Sequence, residues 1–407
     1  MFTLFLPGMP VINNIFLAIF AVACFSSGSA ELKWKLLRRR KDILFILLFY
    51  LLNVVSGLFS QNKEEALIML AMRIPLFVFP VSLGLIELKP LLKDWLLKSF
   101  SQIVCLVAAA CLVTALRSAI LNQDASLLYN DNLCKLIDKQ SIYIAFLVNI
   151  AILFFLHLLT LRPHMLNSRG SVILAMIFLL VFHFLLASRI NIIVLYSGLM
   201  LYGVYYIFAR KKYLEGFTLL LGLVLGLILL FKLFPKTINR FRELAYTQYS
   251  FQGSGKESHF NVELTSDQWN GANIRLAVWK CGWELFLQHP FFGAGLGDKK
   301  GDMMKIYEKK NFEFGLKTKR NMHNNYLDIL ATFGVTGFII FLVGYVVYPV
   351  AFLLSTKDYT GLFLLAALLV VLFSETYMDR SVGNIVIGFF ISLLAADREQ
   401  DSHAATS

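Results

Sequence analysis

Long apolar segments recur along almost the whole chain, and they constrain the fold more than any other feature of the sequence. A helix needs roughly 20 residues to cross a bilayer, and its backbone polar groups must be satisfied internally there. The sequence therefore predicts an all-α, polytopic membrane helix bundle of about 11–12 transmembrane helices. Eleven apolar segments lie at 11–27, 43–59, 67–87, 101–121, 141–160, 171–188, 190–209, 215–233, 326–354, 359–377 and 382–396.

The composition excludes a water-soluble globular protein. Hydrophobic residues make up 58% of the chain and charged residues only 16%, whereas soluble domains carry roughly 25% charged residues. A net charge of +12 would suggest nucleic acid as the partner of a soluble protein, but in a membrane protein Lys and Arg mainly set the orientation. We therefore expect a lipid bilayer and no nucleic acid as partners of this chain.

Charges in the connecting loops predict which way the bundle faces. The short loops carry 16 Lys and Arg residues on one side of the predicted membrane and five on the other. By the positive-inside rule the richer side is cytoplasmic, and so is the C-terminus. Eleven spans place the N-terminus outside, unless residues 1–27 form a hairpin or re-entrant segment. Cys134 and Cys281 both fall outside in this topology, and the sequence leaves open whether they pair.

This topology divides the chain into four parts, one of which is a long polar segment outside the membrane. Connecting segments of such length are usually functional. The predicted parts are residues 1–233 with transmembrane helices 1–8, residues 234–325 as a large periplasmic helical loop with an amphipathic helix near 273–288, residues 326–396 with the C-terminal transmembrane helices, and residues 397–407 as a cytoplasmic tail.

The run NIRLAVWKCGWELFLQ at 273–288 has an arginine in an unusual position. On a helix with residues about 100° apart, Lys280, Glu284 and Gln288 form a narrow polar stripe, and Arg275 lies at the centre of the apolar face. One interpretation is that Arg275 snorkels to head-group phosphate or meets a buried carboxylate. The other is that the helix lies at the membrane surface and directs Arg275 to an anionic, lipid-linked substrate, because a guanidinium suits phosphate.

Three further arginines lie near predicted external ends of membrane segments. Arg189 separates two apolar runs in LLASRINII, and Arg73 and Arg117 lie within apolar runs. Each alone is consistent with an arginine that snorkels from a helix end. Together with Arg275 they predict a convergence of arginines on one membrane face, with Arg73 and Arg117 as possible additional substrate contacts.

A histidine begins the segment HNNYLDILATFGVTG at 323–337, where the chain returns to the membrane. We expect His323 in the first turn of this helix. A helix N-terminus disfavours imidazolium, so the ring keeps a nitrogen that can accept a proton, as a general base must. The alternative interpretation is a capping or interfacial histidine.

The sequence contains no motif for a cofactor or a metal. There is no P-loop, no DxD and no Cys/His ligand spacing, so no metal site and no cofactor are predicted. The apolar runs hold almost no carboxylates beyond Glu375, which gives a carboxylate proton relay little support. The energy for any reaction must then come with an activated substrate.

Part of the chain resembles the O-antigen ligase and polymerase superfamily. The resemblance rests on three stretches and on the long external loop that joins them; the stretches are SRINII, NIRLAVWKCGWELFLQHPFFGAGLG and HNNYLDILATFGVTG. The resemblance covers roughly residues 186–340. It implies a glycosyltransferase-C-like membrane fold, usually drawn with twelve helices, in the bacterial inner membrane with its active site facing the periplasm.

The resemblance also implies an activity and roles for individual residues. The implied reaction is metal-independent, inverting glycosyl transfer from an undecaprenyl-pyrophosphate-linked glycan donor, with lipid A-core as the acceptor for a ligase. Arg189 and Arg275 would bind the donor pyrophosphate, and His323 would be the catalytic residue. A polymerase and a protein O-oligosaccharyltransferase stay open, as does, from a different class, a transporter or flippase of lipid-linked glycan.

Overall fold

The computed structural model describes residues 10–208, 211–233, 235–253 and 268–396. In these residues the regular secondary structure is helical. The predicted tail at 397–407 lies outside the described residues. The helices are α1 Pro10–Ser26, α2 Ala30–Arg39, α3 Lys41–Phe59, α4 Lys63–Arg73, α5 Pro75–Ser82, α6 Pro90–Leu121, α7 Asn130–Leu133, α8 Ser141–Leu161, α9 Arg169–Leu185, α10 Arg189–Phe208, α11 Tyr213–Leu233, α12 Pro235–Arg242, α13 Asn273–Gln288, α14 Lys299–Lys309, α15 Glu313–Thr318, α16 Asn325–Leu342, α17 Tyr348–Ser355, α18 Tyr359–Leu372 and α19 Ser381–Ala396.

The described helices confirm the prediction of a polytopic helical membrane protein. Seven are long and apolar enough to cross a membrane, or eight if the pair α1 and α2, bent by 97°, counts as one span. The shorter apolar helices α9, α18 and α19 coincide with three more of the predicted segments. The long spans are Lys41–Phe59, Lys63–Leu85, Leu91–Leu121, Ser141–Leu161, Arg189–Phe208, Tyr213–Leu233 and Asn325–Ser355.

The chain forms two compact units, and the first comprises Met1–Asn13 and Leu91–Arg242. Its most buried long helix is α8, in which 78% of the apolar segment is buried, against 17% in α11. Asn149 in α8 donates a hydrogen bond of 3.0 Å to the carbonyl of Asn191 in α10. A buried amide that finds such a partner fixes the contact between two helices.

The second unit comprises Asn14–Pro90 and Glu243–Ser407. Aromatic rings fill its membrane core: Phe49 in α3 lies 5.6, 5.8 and 5.9 Å from the ring centroids of Phe333, Phe341 and Tyr345. Aromatic pairs at this separation contribute beyond the area that they bury. These contacts hold α3 against the membrane span that begins with α16.

The helix α16 is broken at Gly334, whose backbone angles of φ 64° and ψ −164° are not helical. The break leaves carbonyl and amide groups without helical partners, which lipid cannot satisfy. The segment after α13 replaces them: Ala294 N donates to Ala331 O at 2.8 Å, and Val335 N donates to Pro290 O at 2.9 Å. Irregular backbone is tolerated within this span because protein fills the gap.

Glycine is required on both sides of this crossing. A Cβ at Gly334 would lie 2.3 Å from the carbonyl carbon of Phe291, and a Cβ at Gly293 would lie 2.2 Å from that of Thr332. Both glycines also have positive φ values, which side chains disfavour. The turn HPFFGAGLG therefore fixes residues 268–322, which are predicted to lie outside the membrane and are called the extramembrane part below, to the broken span.

The extramembrane part has a hydrophobic core of its own. The buried ring of Trp269 lies 5.0 Å from Phe312 and 5.5 Å from Phe314, and Tyr307 lies 5.1 Å from Phe312. The apolar face of α13 packs into this core rather than lying wholly against the membrane surface. Its buried core residues are Ile274, Ala277, Val278, Cys281 and Leu285.

A second apolar stripe next to α13 stays exposed. Trp283 and Leu287 lie one helical turn apart, and Phe291 and Phe292 follow in the turn; these four side chains are 50–76% exposed. Exposed aromatic side chains of this kind suit the boundary between lipid and water. We infer that this stripe, and not the face that carries Ile274, is the part of the segment that meets the membrane.

Candidate active site

His323 lies just before α16 and not in its first turn as predicted. The helix begins at Asn325, and its N-cap is Asn324, whose side-chain oxygen accepts hydrogen bonds from the backbone N–H groups of Tyr326 and Leu327. Asparagine is among the best N-cap residues because it satisfies these amides. His323 therefore occupies the preceding position, with a left-handed φ of 45°.

The imidazole of His323 is held by a carboxylate. Its Nδ1 lies 2.8 Å from Oε2 of Glu375, and the second oxygen of Glu375 accepts a hydrogen bond of 2.9 Å from the backbone N–H of Thr376. The histidine side chain is 21% exposed and the glutamate side chain 10%. An ionised carboxylate at Nδ1 fixes the tautomer in which Nδ1 carries the proton and Nε2 carries the lone pair.

The surroundings keep Glu375 ionised. Burial alone would raise the pKa of this carboxyl, but the hydrogen bond and charge of His323, the amide of Thr376 and the charge of Arg275 together hold its pKa below the ordinary value. Glu375 is thus an anion at neutral pH. It can stabilise a positive charge that forms on the imidazole when Nε2 takes up a proton.

Helix α13 brings Arg275 to this pair. Trp279, one turn after Arg275 and so on the same face, donates from its indole nitrogen to the carbonyl of Met322 at 2.9 Å. Its ring also meets Phe373 edge-on, with centroids 5.3 Å apart. The tryptophan thereby fixes α13 against Met322, next to His323, and against Phe373, two residues before Glu375. The half-buried Arg275 adds its positive charge there.

An amide bridge completes the arrangement. The side-chain nitrogen of Asn321 donates to Oγ1 of Thr376 at 2.6 Å, and its oxygen accepts from the backbone N–H of His323 at 3.3 Å. The loop before α16 and the loop after α18 are thus joined at two points. An imidazole, a carboxylate that contacts it and the charge of a guanidinium thus lie together, an arrangement that can support general-base chemistry.

Glu375 is the site residue to which the sequence assigned no role. It stands 52 residues after His323 along the chain, so no local spacing connects the two. The one available signal was its isolation, because a carboxylate in an apolar run is costly and usually has a function.

Comparison with known families gives this site a context. Residues 173–342 match the family model described as O-antigen ligase. These residues, fewer than half of the chain, are similar to an O-antigen ligase domain. This confirms the superfamily prediction, and the matched segment includes Arg189, Arg275 and His323. No curated protein matches the chain significantly.

A second charged cluster in the same unit is largely buried. Arg73 donates to Asn53 at 2.6 Å and to Asp379 at 3.1 Å. Lys299 donates to Asp328 at 2.7 Å and to both oxygens of Asp379 at 3.1 and 3.0 Å. Two cations face two carboxylates, so the cluster is neutral.

The charges in this cluster stabilise one another against burial. Burial alone would lower the pKa of Lys299, but the charges of Asp328 and Asp379 raise it above the ordinary value. Burial alone would raise the pKa of Asp379, but Lys299 and Arg73 lower it. Arg73 is 0% exposed, so its geometry supports a structural role, and the substrate contact expected of it finds no support here.

The remaining predicted arginines belong to the first unit. Arg189 is half-buried at the start of α10, and Arg117 is exposed four residues before the end of α6. Their proposed contacts with donor or substrate stay predictions. Of the predicted residues, the second unit brings together His323 and Arg275 and separates Arg73 from them into the buried cluster. Among the described residues, no group of three or more His, Cys, Asp or Glu side chains could hold a metal ion.

Proposed function

We propose that the protein is an O-antigen ligase, an inverting and metal-independent glycosyltransferase. It moves a polysaccharide from undecaprenyl pyrophosphate to lipid A-core at the periplasmic face of the inner membrane. The observation that carries this proposal is the hydrogen bond between His323 and Glu375 beside the charge of Arg275. The family match between residues 173 and 342 supports it.

In the proposed reaction His323 acts as the general base. Its Nε2 removes the proton from an acceptor hydroxyl, and the oxygen forms a bond to the anomeric carbon of the donor sugar. The bond from that carbon to the carrier diphosphate breaks on the opposite side, which inverts the anomeric centre. Glu375 stabilises the imidazolium, and the carrier diphosphate leaves as the anion.

Arg275 is proposed to bind the donor diphosphate. A guanidinium presents a planar fork of donors that matches phosphate oxygens, and its charge offsets the negative charge that grows on the leaving group. The resemblance assigns Arg189 to the same phosphate groups. The diphosphate is already a good leaving group, so the proposal requires neither an enzyme nucleophile nor a metal.

Loop contacts in the second unit support a periplasmic site. The turn after α3 is tied to the loop before α14, since the amides of Gln61 and Asn62 both donate to Asp298 at 2.8 Å. This turn lies at the end of α3 remote from residues 31–42, which contain six of the cytoplasmic-type positive charges. By the positive-inside rule, the end of α3 near Asn62 faces the periplasm.

Deletion of the gene tests the proposal by the glycans that accumulate. For a ligase, we expect long carrier-linked chains to build up while lipid A-core stays uncapped, and plasmid expression should restore capping. Core that carries a single repeat would indicate a polymerase instead. Normal lipopolysaccharide together with loss of glycan from proteins would indicate a protein O-oligosaccharyltransferase. Transfer by purified protein should continue in excess chelator.

Replacement of Glu375 by glutamine tests its role as the positioning residue for His323. We expect kcat to fall by about 10², with little change in KM for the donor, because the amide holds no charge against the imidazolium. The pKa of Glu375 is already below its ordinary value, so the carboxylate stays ionised at neutral pH. Without its counter-charge, the acid limb of the pH–rate profile should move to lower pH.

The matched control for this variant is Glu308→Gln, which removes an exposed carboxylate from α14 in the same unit. Its rate and pH profile should equal those of the wild type. If Glu375→Gln gave that same result, Glu375 would have no part in orienting the base.

A further inference from the structure

A basic pocket lies at the opposite end of the second unit's membrane helices from His323. Its volume is ≈ 300 Å³, and it lies between the start of α3 and the helix α17. Tyr348 follows His323 along the same span, on the order of 35 Å further at about 1.5 Å per helical residue. The pocket is therefore separate from the candidate active site. Its lining residues are Arg39, Lys41, Tyr348, Ala351, Phe352 and Ser355.

The two cations of this pocket have no ion-pair partner among the described residues. Arg39 and Lys41 are exposed, and neither forms an ion pair with a residue in the described part of the chain. The arginine between them behaves differently: Arg40 is 1% exposed and donates to the carbonyls of Gly84 and Ile86. Arg40 thus serves the fold, while Arg39 and Lys41 present positive charge to whatever enters the pocket.

The neighbouring helix indicates that the pocket lies at the level of lipid head groups. Helix α2 bends by 97° from α1 and is strongly amphipathic, with Leu36 buried and Trp34 57% exposed. The guanidinium of Arg38 lies 5.0 Å from the centre of the Trp34 ring. A short amphipathic helix that presents Trp and Arg together on its exposed face suits the membrane interface.

The pocket's walls combine the groups that a phospholipid head group requires. Arg39 and Lys41 can bind the phosphate, and the rings of Tyr348 and Phe352 can contact the start of the acyl chains. The hydroxyl of Ser355 donates to the carbonyl of Phe352 at 2.7 Å and can accept a hydrogen bond from a polyol hydroxyl. Its volume falls at the lower end of the range for small-molecule sites. Basic pockets between membrane helices on the cytoplasmic side bind anionic lipids in this way.

We propose that this pocket binds the phosphate of an anionic phospholipid of the inner leaflet. Free inorganic phosphate has the same charged group, but it cannot use the aromatic wall or the adjacent lipid phase. Occupation by the lipid would tie the start of α3 to the end of α17 and stabilise the second unit. The lipid is not a substrate, so its binding does not depend on the proposed glycosyl transfer.

The test measures binding of phosphatidylglycerol to the purified full-length protein by native mass spectrometry, with thermal midpoints in nanodiscs of phosphatidylcholine with or without phosphatidylglycerol. We expect the wild type to bind phosphatidylglycerol over phosphatidylcholine and to melt higher in its presence. The double variant Arg39→Gln/Lys41→Gln should bind it roughly tenfold to thirtyfold more weakly. This is the loss of affinity expected when two cations that attract an anionic lipid are removed.

The matched control is Lys35→Gln/Lys211→Gln, which removes one exposed charge from α2 and one from the segment after α10 without touching the pocket lining. It should bind phosphatidylglycerol as the wild type does. A second variant, Ser355→Asp, introduces a negative charge into the pocket and should also weaken binding, which guards against misfolding of the double variant. Equal binding by the wild type and both pocket variants would overturn the proposal. So would equal thermal protection by millimolar inorganic phosphate in detergent, because the ligand would then be the free ion.

Discussion

Replacement of His323 by alanine is expected to abolish capping of lipid A-core while the protein level stays unchanged. A positioned general base contributes typically about 10²–10⁴ to a rate, and the structure gives His323 an orienting carboxylate at 2.8 Å. The loss should appear in kcat rather than in donor binding, because the imidazole acts on the acceptor hydroxyl. Complementation of a deletion strain, read on a lipopolysaccharide gel with an immunoblot for the protein, measures both capping and the protein level.

A matched control separates loss of chemistry from loss of fold. His289 is an exposed histidine immediately after α13, and His289→Ala should support normal capping.

Arg275→Ala should resemble His323→Ala on the gel but raise KM for the donor in vitro, because it removes the phosphate ligand. Normal capping with His323→Ala would remove that residue from the mechanism. Transport of lipid-linked glycan that survives this variant, with no transfer by purified protein, would select a flippase.

Sequence reasoning found the parts of the site that local patterns encode. Arg275 was identified because a cation on the apolar face of a helix needs an explanation, and the structure gives it the carboxylate of Glu375 as an electrostatic neighbour. That neighbour is consistent with both interpretations offered for Arg275, since a buried carboxylate was one of them. The role of Glu375 was not predicted because its pairing with His323 depends on how two distant loops meet.

For the fold, too, the sequence predicted features that one segment determines and not those that depend on contacts between distant segments. The apolar segments predicted the membrane helices because hydropathy is a property of each segment alone. The break at Gly334 did not follow from hydropathy, since its backbone groups are satisfied by residues near Ala294 that precede it by a whole extramembrane segment. The protein core against α13 was likewise missed, because it depends on rings such as Trp269 and Phe312 meeting in space.

Replacement of Lys299 by methionine is expected to destabilise the second unit by about 3–5 kcal/mol, the cost of breaking a buried ion pair by removing one partner. The side chains of Lys299 and Asp328 are only 7% and 2% exposed, and their atoms are 2.7 Å apart. Removal of the lysine leaves two buried carboxylates with Arg73 alone. The thermal midpoint of the purified protein and its level in the membrane should both fall.

The neighbouring residue provides the control. Lys300 is 53% exposed and pairs with Glu65 at 3.1 Å, and an exposed pair of this kind contributes about 0–1 kcal/mol. Lys300→Met should therefore melt close to the wild type. Equal midpoints for Lys299→Met and Lys300→Met would show that the buried cluster does not carry the stability assigned to it.

Two further measurements separate charge imbalance from a packing defect. In the Lys299→Met background, Asp328→Asn restores neutrality, so the double variant should be less destabilised than the sum of the single variants. In the wild type, the pKa of Asp379 is lowered, so the stability it contributes is present above the pKa of an unfolded aspartate and is lost as pH falls through the lower folded value. Without Lys299 its carboxylate accepts a proton at higher pH, and the gap between variant and wild type should narrow as the medium is acidified. A packing defect would leave the difference in stability between variant and wild type constant, because it does not depend on the protonation of a carboxylate.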